Sequence, residues 1–422
     1  MSCMSYLNVF STTCFALAIT HTFLVGRFNR LAARFRPGSV LENTFHLLGE
    51  IEVVFGLWAG LFLLGFALLQ GVSESVHYLS TRNFTEPAFV FVIMVVCSSR
   101  PLLSFVEFLL ERLSRCLPFK PGISFYLTTL IVGPILGSFI TEPAAMTVTA
   151  LILFDRLYTK KISTNLKYAT IGLLFVNISI GGTLTAFAAP PVLMVAAKWG
   201  WTTSFMAIHF GWKAVLAIVV GTVLTTLWFR KELSSIDVTA VSKKIKIPVW
   251  VTAVHLVMLL LVVLGAHHMA VFVLLFLFFI GFTAVTDEYQ SPLKFKEGLL
   301  VAFFLGGLVI LGGPQKWWLE PLLTQLNSVT MFLGAIGLTA FTDNAALTYL
   351  GSQVPNLSDS IKYALVSGSV VGGGLTAIAN APNPVGYGIL NSTFGEEGIL
   401  PVKLALAALP PTVLAAICFW FF

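Results

Sequence analysis

Residues 140–153 read ITEPAAMTVTALIL, and residues 341–350 read FTDNAALTYL. Thr141, Glu142, Ala144, Ala145 and Thr147 match Thr342, Asp343, Ala345, Ala346 and Thr348 at a constant offset, with acid replacing acid. A second matched pair follows downstream: GGTLTAFAAPPV at 181–192 and GGGLTAIANAPNPVG at 372–386. There Gly181, Gly182, Leu184, Thr185, Ala186 and Ala188 match Gly372, Gly373, Leu375, Thr376, Ala377 and Ala379. Two motifs repeated in the same order imply an internal duplication. Glycine pairs and prolines inside apolar segments break the backbone ladder, and freed N–H and C=O groups are costly in lipid unless protein or water satisfies them. Matched breaks in both halves therefore point to one protein-lined site near the membrane midplane. The competing explanation is that glycine and proline merely permit close helix packing or kinks.

Composition agrees with a membrane setting. Of 422 residues, 57% are apolar and 10% charged, and the mean hydropathy is +0.90. One soluble core cannot hide that much apolar surface. Apolar stretches long enough to cross a hydrocarbon layer as helices recur along the chain, whereas barrel strands would be shorter and alternating. The first such stretch lacks a basic leader and a small-residue cleavage site, so it is expected to stay as a helix. Cys3, Cys14, Cys97, Cys116 and Cys418 show no CxxC spacing, which argues against a disulfide framework or a zinc site. The excess of Lys and Arg is read as cytoplasmic loops, and no nucleic-acid partner is expected.

The expected fold is an all-α polytopic membrane protein made of two inverted halves. The N-terminal repeat, 1–229, has apolar helices at 4–25, 46–70 and 87–110, a hairpin within 121–157, a Gly-interrupted helix at 165–197 and a helix at 204–229. A cytoplasmic linker, 230–248, precedes the C-terminal repeat, 249–422. That repeat has helices at 249–266, 269–286 and 297–312, a hairpin within 318–352, an interrupted helix at 361–390 and a helix at 400–422. If both pairs are re-entrant hairpins, nineteen Lys and Arg fall on one side, including Lys243 and Lys244, and only Arg82, Lys198, Lys316 and Lys362 on the other. This bias places both termini outside and makes an inner, cytoplasmic-type membrane the expected location. Two full crossings per pair would give the same parity. Five crossings per half is odd, so the halves would run in opposite orientations.

Glu142 and Asp343 carry the chemistry. An ionised carboxylate within the bilayer costs at least ~2.5 kcal/mol and responds by protonation, pairing or binding a cation. Two such acids close together would let Na+ and a proton compete for the same oxygens. Thr141, Thr342, Asn344, Thr183, Thr185, Thr376, Asn380 and Asn383 add the neutral oxygens that suit a hard cation. The alternative for each acid is to cap its half-helix, and for each threonine or asparagine to close a local backbone bond. Lys213, inside an apolar helix, is a candidate charge partner for a hairpin acid, or else a snorkelling interfacial lysine. Glu50 and Glu52 are expected to snorkel, Arg100 and Glu107 to form a structural pair, and Trp199, Trp201, Trp317 and Trp318 to belong to an aromatic belt.

At these residues the chain resembles the ion transporter superfamily, which includes dicarboxylate and citrate carriers, arsenite pumps and one group of Na+/H+ antiporters. More narrowly, TEPAAMTVTALIL and GGGLTAIANAPNP resemble the putative Na+/H+ antiporter family within it. The resemblance implies two hairpin tips facing two broken helices, a scaffold that dimerises with a second copy, and elevator-like movement of the hairpin-bearing part. Dicarboxylate carriers have Ser-Asn-Thr at both tips; here those positions are Thr141-Glu142-Pro143 and Thr342-Asp343-Asn344, a departure that disfavours a carboxylate substrate.

Na+/H+ antiport is thus the expected function, with Na+ at Glu142 and Asp343 and no cofactor beyond the transported ions. The alternative is Na+-coupled symport of an organic anion or other small solute. A membrane-embedded enzyme is disfavoured because the sequence has no HExxH, no GxGD pair and no nucleophile with a plausible base; with no GxxxxGK loop, ATP drive would have to come from a partner.

Overall fold

The computed structural model describes residues 3–238, 246–395 and 397–422; Lys243, Lys244 and the middle of the expected 230–248 linker lie outside them. The described residues form helices and no strand. Among the described residues, seven helices are long and apolar enough to cross a membrane, or up to eight if one bent pair is counted as a span. The chain divides into two compact units, each drawing on both halves of the sequence.

Unit 1 comprises Met1–Phe91, Phe295–Asn327 and Tyr349–Ser358. Its long helices, Cys3–Ala32, Ile51–Gln70 and Phe295–Gly312, pack along one another. A Cβ on Gly307 would run into the backbone of Phe55 and Gly56, so two helices meet there main chain to main chain. The buried Gln315 amide ties the unit together. Its Nε2 donates to Leu311 O at 2.7 Å and Ser11 Oγ at 3.2 Å, while its Oε1 accepts from Thr12 Oγ1 and Trp318 Nε1, both at 2.9 Å.

Unit 2 comprises Val92–Lys294, Ser328–Thr348 and Asp359–Phe422. Pro121–Ile140 and Glu142–Leu153 form a closed hairpin: Gly137 faces Ala145 and Gly133 faces Thr149 across the two arms. Thr164–Gly181 and Pro190–Trp199 are the two parts of the first broken helix; Asp359–Gly372 and Asn383–Asn391 are those of the second. The final helix, Pro401–Phe421, rests on Thr164–Gly181, where a Cβ on Gly172 would lie 2.7 Å from Ala408 N. Asn177 Nδ2, buried in the first broken helix, donates to Leu130 O at 2.9 Å and to Thr222 Oγ1 at 3.1 Å, which fixes that helix to two neighbours.

Three expected elements take a different form. The stretch 87–110 is two helices, Thr85–Cys97 and Arg100–Cys116, because Ser99 is extended (φ −65°, ψ 141°) and Pro101 has no N–H to continue the ladder. The stretch 46–70 is interrupted at Gly49–Glu50. In the stretch 318–352, the polar run Thr324 to Asn327 ends Lys316–Leu323, and a new helix starts at Ser328. Ser328–Thr339 then packs along Asp359–Gly372, where Gly368 and Gly372 would bring a Cβ to 2.5 and 2.6 Å from the carbonyls of Phe332 and Ile336. The last arm, Asn344–Ser352, begins in unit 2 and passes into unit 1 at Tyr349, so it does not close on its partner as the first hairpin does.

Candidate functional site

The first tip is a strained turn. Thr141 has φ 71° and ψ 152°, a region glycine tolerates and side chains resist at about 1–3 kcal/mol. Glu142 starts the next helix and Pro143 follows, where its missing N–H costs nothing. Glu142 is fully buried, its N–H pointing at Ala188 O, 3.5 Å away in the break of the first broken helix. Asn380 Nδ2 donates to Glu142 Oε2 at 2.8 Å, and Glu142 Oε1 has no hydrogen-bond partner. Among the described hydrogen bonds this carboxylate caps no backbone N–H, so the capping alternative does not account for it. The carboxylate lies against Gly182, where a Cβ would stand 2.5 Å from Oε1.

The second tip is displaced by one residue relative to the sequence repeat. Its helix begins at Asn344, not at Asp343. Asn344 N donates to Ala379 O at 3.1 Å, and Ala379 is the repeat partner of Ala188. Asn344 is fully buried, and neither its Oδ1 nor its Nδ2 has a hydrogen-bond partner. It therefore stands where Glu142 stands in the first tip. Asp343, half-buried, sits one position earlier and caps the helix: Oδ1 accepts from Ala345 N at 2.8 Å and Ala346 N at 3.1 Å. Its charge still reaches Glu142 electrostatically.

The remaining expected residues divide by what their polar atoms do. Thr185 Oγ1 donates to Ser138 O at 2.7 Å and Thr376 Oγ1 to Ala340 O at 2.9 Å, so each broken helix is fastened to its neighbouring tip by the matched threonine. Thr183 and Thr342 close local bonds to Ile180 O and Leu338 O at 2.7 and 2.9 Å. Asn383 Nδ2 braces the second break through Gly373 O at 2.7 Å and Thr376 O at 2.8 Å. Its Oδ1, Asn380 Oδ1 and Thr141 Oγ1 are buried without a partner, as is Glu142 Oε1. Ser138 was not singled out in the sequence: its hydroxyl donates to Gly181 O at 2.6 Å and accepts from Leu184 N at 2.9 Å, joining tip to break. A small polar residue three positions before a tip threonine was the available signal.

Lys213 is not turned to a hairpin acid. Its Nζ donates to the Tyr363 hydroxyl at 2.7 Å, and that hydroxyl donates to Phe419 O at 2.6 Å. Glu107 is paired with Arg156 at 3.8 Å, not with Arg100, and Arg156 also pairs with Glu111. Glu50, half-buried, pairs with Lys296 at 3.7 Å.

A family model described as "Putative Na+/H+ antiporter" matches residues 6–422. The chain belongs to this antiporter family. Membership together with seven membrane-capable helices makes it a multi-pass membrane transporter of cations and protons rather than an enzyme. No curated protein matches the chain. A buried polar oxygen left without a partner costs about 1–3 kcal/mol.

Proposed function

We propose that the protein exchanges Na+ for protons at Glu142, with Asn344, Asn380, Asn383 and Thr141 supplying neutral oxygens. The observation that carries this reading is a fully buried carboxylate with one oxygen held by Asn380 and the other unpartnered, in a unit where Thr141 Oγ1 and the side-chain oxygens of Asn344, Asn380 and Asn383 are also buried and unpartnered. A proton or Na+ neutralises Glu142, and either makes it compatible with a low-dielectric surrounding; the bare carboxylate is not. Thr183, Thr185, Thr342 and Thr376 hold the walls, and Asp343 contributes its charge from the edge. The residues all lie in unit 2, as an elevator-like mechanism needs of its moving part. The proposal also takes in two inverted repeats with re-entrant tips, membership of the wider ion transporter superfamily, a homodimer in an inner membrane, and lipid contact along the apolar exterior.

The test is flux in proteoliposomes. An imposed Na+ gradient should shift internal pH with no organic solute present, and Glu142→Gln should abolish the shift. Na+ uptake that depends on an added organic anion would replace this reading with Na+-coupled symport.

A further inference from the structure

We infer that the protein holds a second monovalent cation, of about the size of Na+, at the base of the first hairpin, where Glu107, Glu111 and Thr129 ligate it and Arg156 is the fixed cation that shares the two carboxylates. The inference stands apart from the exchange reading. Thr129 lies twelve residues before Thr141 along the same arm, about 18 Å away at about 1.5 Å per residue.

Three elements of unit 2 make the site. Glu107, Leu110 and Glu111 share one face of Arg100–Cys116, and Phe125 and Thr129 share one face of Pro121–Ile140. Ile152 and Arg156 stand a turn apart where the second arm passes into the π-helical turn Phe154–Tyr158. Turns of that kind recur at functional sites. Together these side chains line a cavity with about 10 Å³ of room for the centre of a water-sized molecule. That is the space of one water or one bare monovalent ion.

The charge of the lining is unbalanced. Arg156 pairs with Glu111 and, at 3.8 Å, with Glu107, and its side chain is 11% exposed. Both approaches use one nitrogen, Nη2, and the buried Nε has no acceptor, so the guanidinium clasps neither acid as a bidentate fork. Two carboxylates and one guanidinium leave one negative charge beside Leu110, Phe125 and Ile152, and uncompensated charge against apolar walls is costly. A single positive charge cancels it; a water does not. The oxygens agree with the charge. Thr129 is 1% exposed and lines the cavity, and its hydroxyl makes no hydrogen bond among the described residues. Carboxylate and hydroxyl oxygens are the donors that suit a hard cation.

The experiment measures equilibrium binding of radioactive sodium to the full-length protein in detergent, with choline holding the ionic strength constant. The wild type should bind two Na+ per chain, and Glu142→Gln should keep the one at the hairpin base. Thr129→Val, similar in shape but without the hydroxyl, should bind that ion at least about tenfold more weakly. In choline alone the same variant should unfold at or above the wild-type temperature, because it removes a buried hydroxyl that has no partner. Thr129→Val with wild-type Na+ binding overturns the inference: water alone then fills the cavity. So does a folded Glu142→Gln protein that binds no Na+ while the wild type binds one, and exchange at Glu142 then still stands. A wild type that binds one Na+, kept in Glu142→Gln and weakened in Thr129→Val, supports the inference and removes Na+ from the tip instead. Should Glu142→Gln fail to fold, the comparison of wild type with Thr129→Val decides.

Discussion

Replacing Gly182 with alanine isolates the geometry of Glu142 from its charge. Gly182 has φ −74° and ψ −5°, which any residue adopts, so the substitution brings no backbone strain. Its new methyl would stand 2.5 Å from Glu142 Oε1, 2.7 Å from Cγ and 3.0 Å from Cδ, whereas ordinary contact begins at 3.4 Å. The carboxylate must retreat by about 0.9 Å (3.4 minus 2.5). The 2.8 Å bond from Asn380 cannot survive a shift of that size unless Asn380 follows, and Asn380 sits in the second break. Losing a hydrogen bond to a charged group costs about 1.5–3 kcal/mol, which is roughly 10- to 100-fold in affinity. The half-saturating Na+ concentration in proteoliposome exchange should rise by that factor. Gly281→Ala is the control, since nothing lies within 4 Å of its Cβ position. A Gly182→Ala protein that inserts, unfolds at the wild-type temperature and exchanges with unchanged Na+ dependence would refute the placing of the cation at Glu142.

Thr141→Gly should relieve the tip backbone and stabilise the fold by about 1 kcal/mol in detergent unfolding, yet weaken Na+ binding because a hydroxyl oxygen is lost; Thr141→Ser should keep the affinity. On the proposed competition of Na+ and a proton for Glu142, apparent Na+ affinity should fall as pH falls, by up to about tenfold per pH unit once the proton outcompetes the ion. Asn344→Asp would put a second acid where the fold repeats Glu142, and that slope should steepen. Arg156→Ala should lower the unfolding temperature by leaving Glu107 and Glu111 without their shared cation, and the Arg156→Met/Glu111→Leu pair should recover part of the loss.

The breaks were legible in the sequence because glycine and proline act on the backbone locally: 165–197 and 361–390 are both interrupted, near the Gly-Gly and Pro positions. The acids were legible as unusual residues in apolar runs. Their different settings were not, because these depend on where each helix starts: at Glu142 in one tip and at Asn344, one residue after the acid, in the other. Glu142 and Asp343 match in letters at an offset of 201, whereas Glu142 and Asn344 match in space at 202. Lys213 shows the same limit: hydropathy places it in an apolar helix, but only packing shows that a tyrosine hydroxyl, not a carboxylate, accepts its hydrogen bond. Within 318–352 the helix pair is Ser328–Thr339 and Asn344–Ser352; the apolar Lys316–Leu323 overlaps the start of that stretch, and only the short Thr324–Asn327 run separates it from the pair.

The Gln315 knot bears on how the chain is made. Ser11 and Thr12 emerge early from the ribosome, but the amide that satisfies them arrives only after the 203 residues of Val92–Lys294, themselves all in unit 2, have been synthesised. At about 5–20 residues per second, the 303 residues between Thr12 and Gln315 take roughly 15–60 s. The opening helix must spend that interval in the bilayer with these cross-links unmade, so the polar groups of Ser11 and Thr12 have to find other partners until Gln315 arrives.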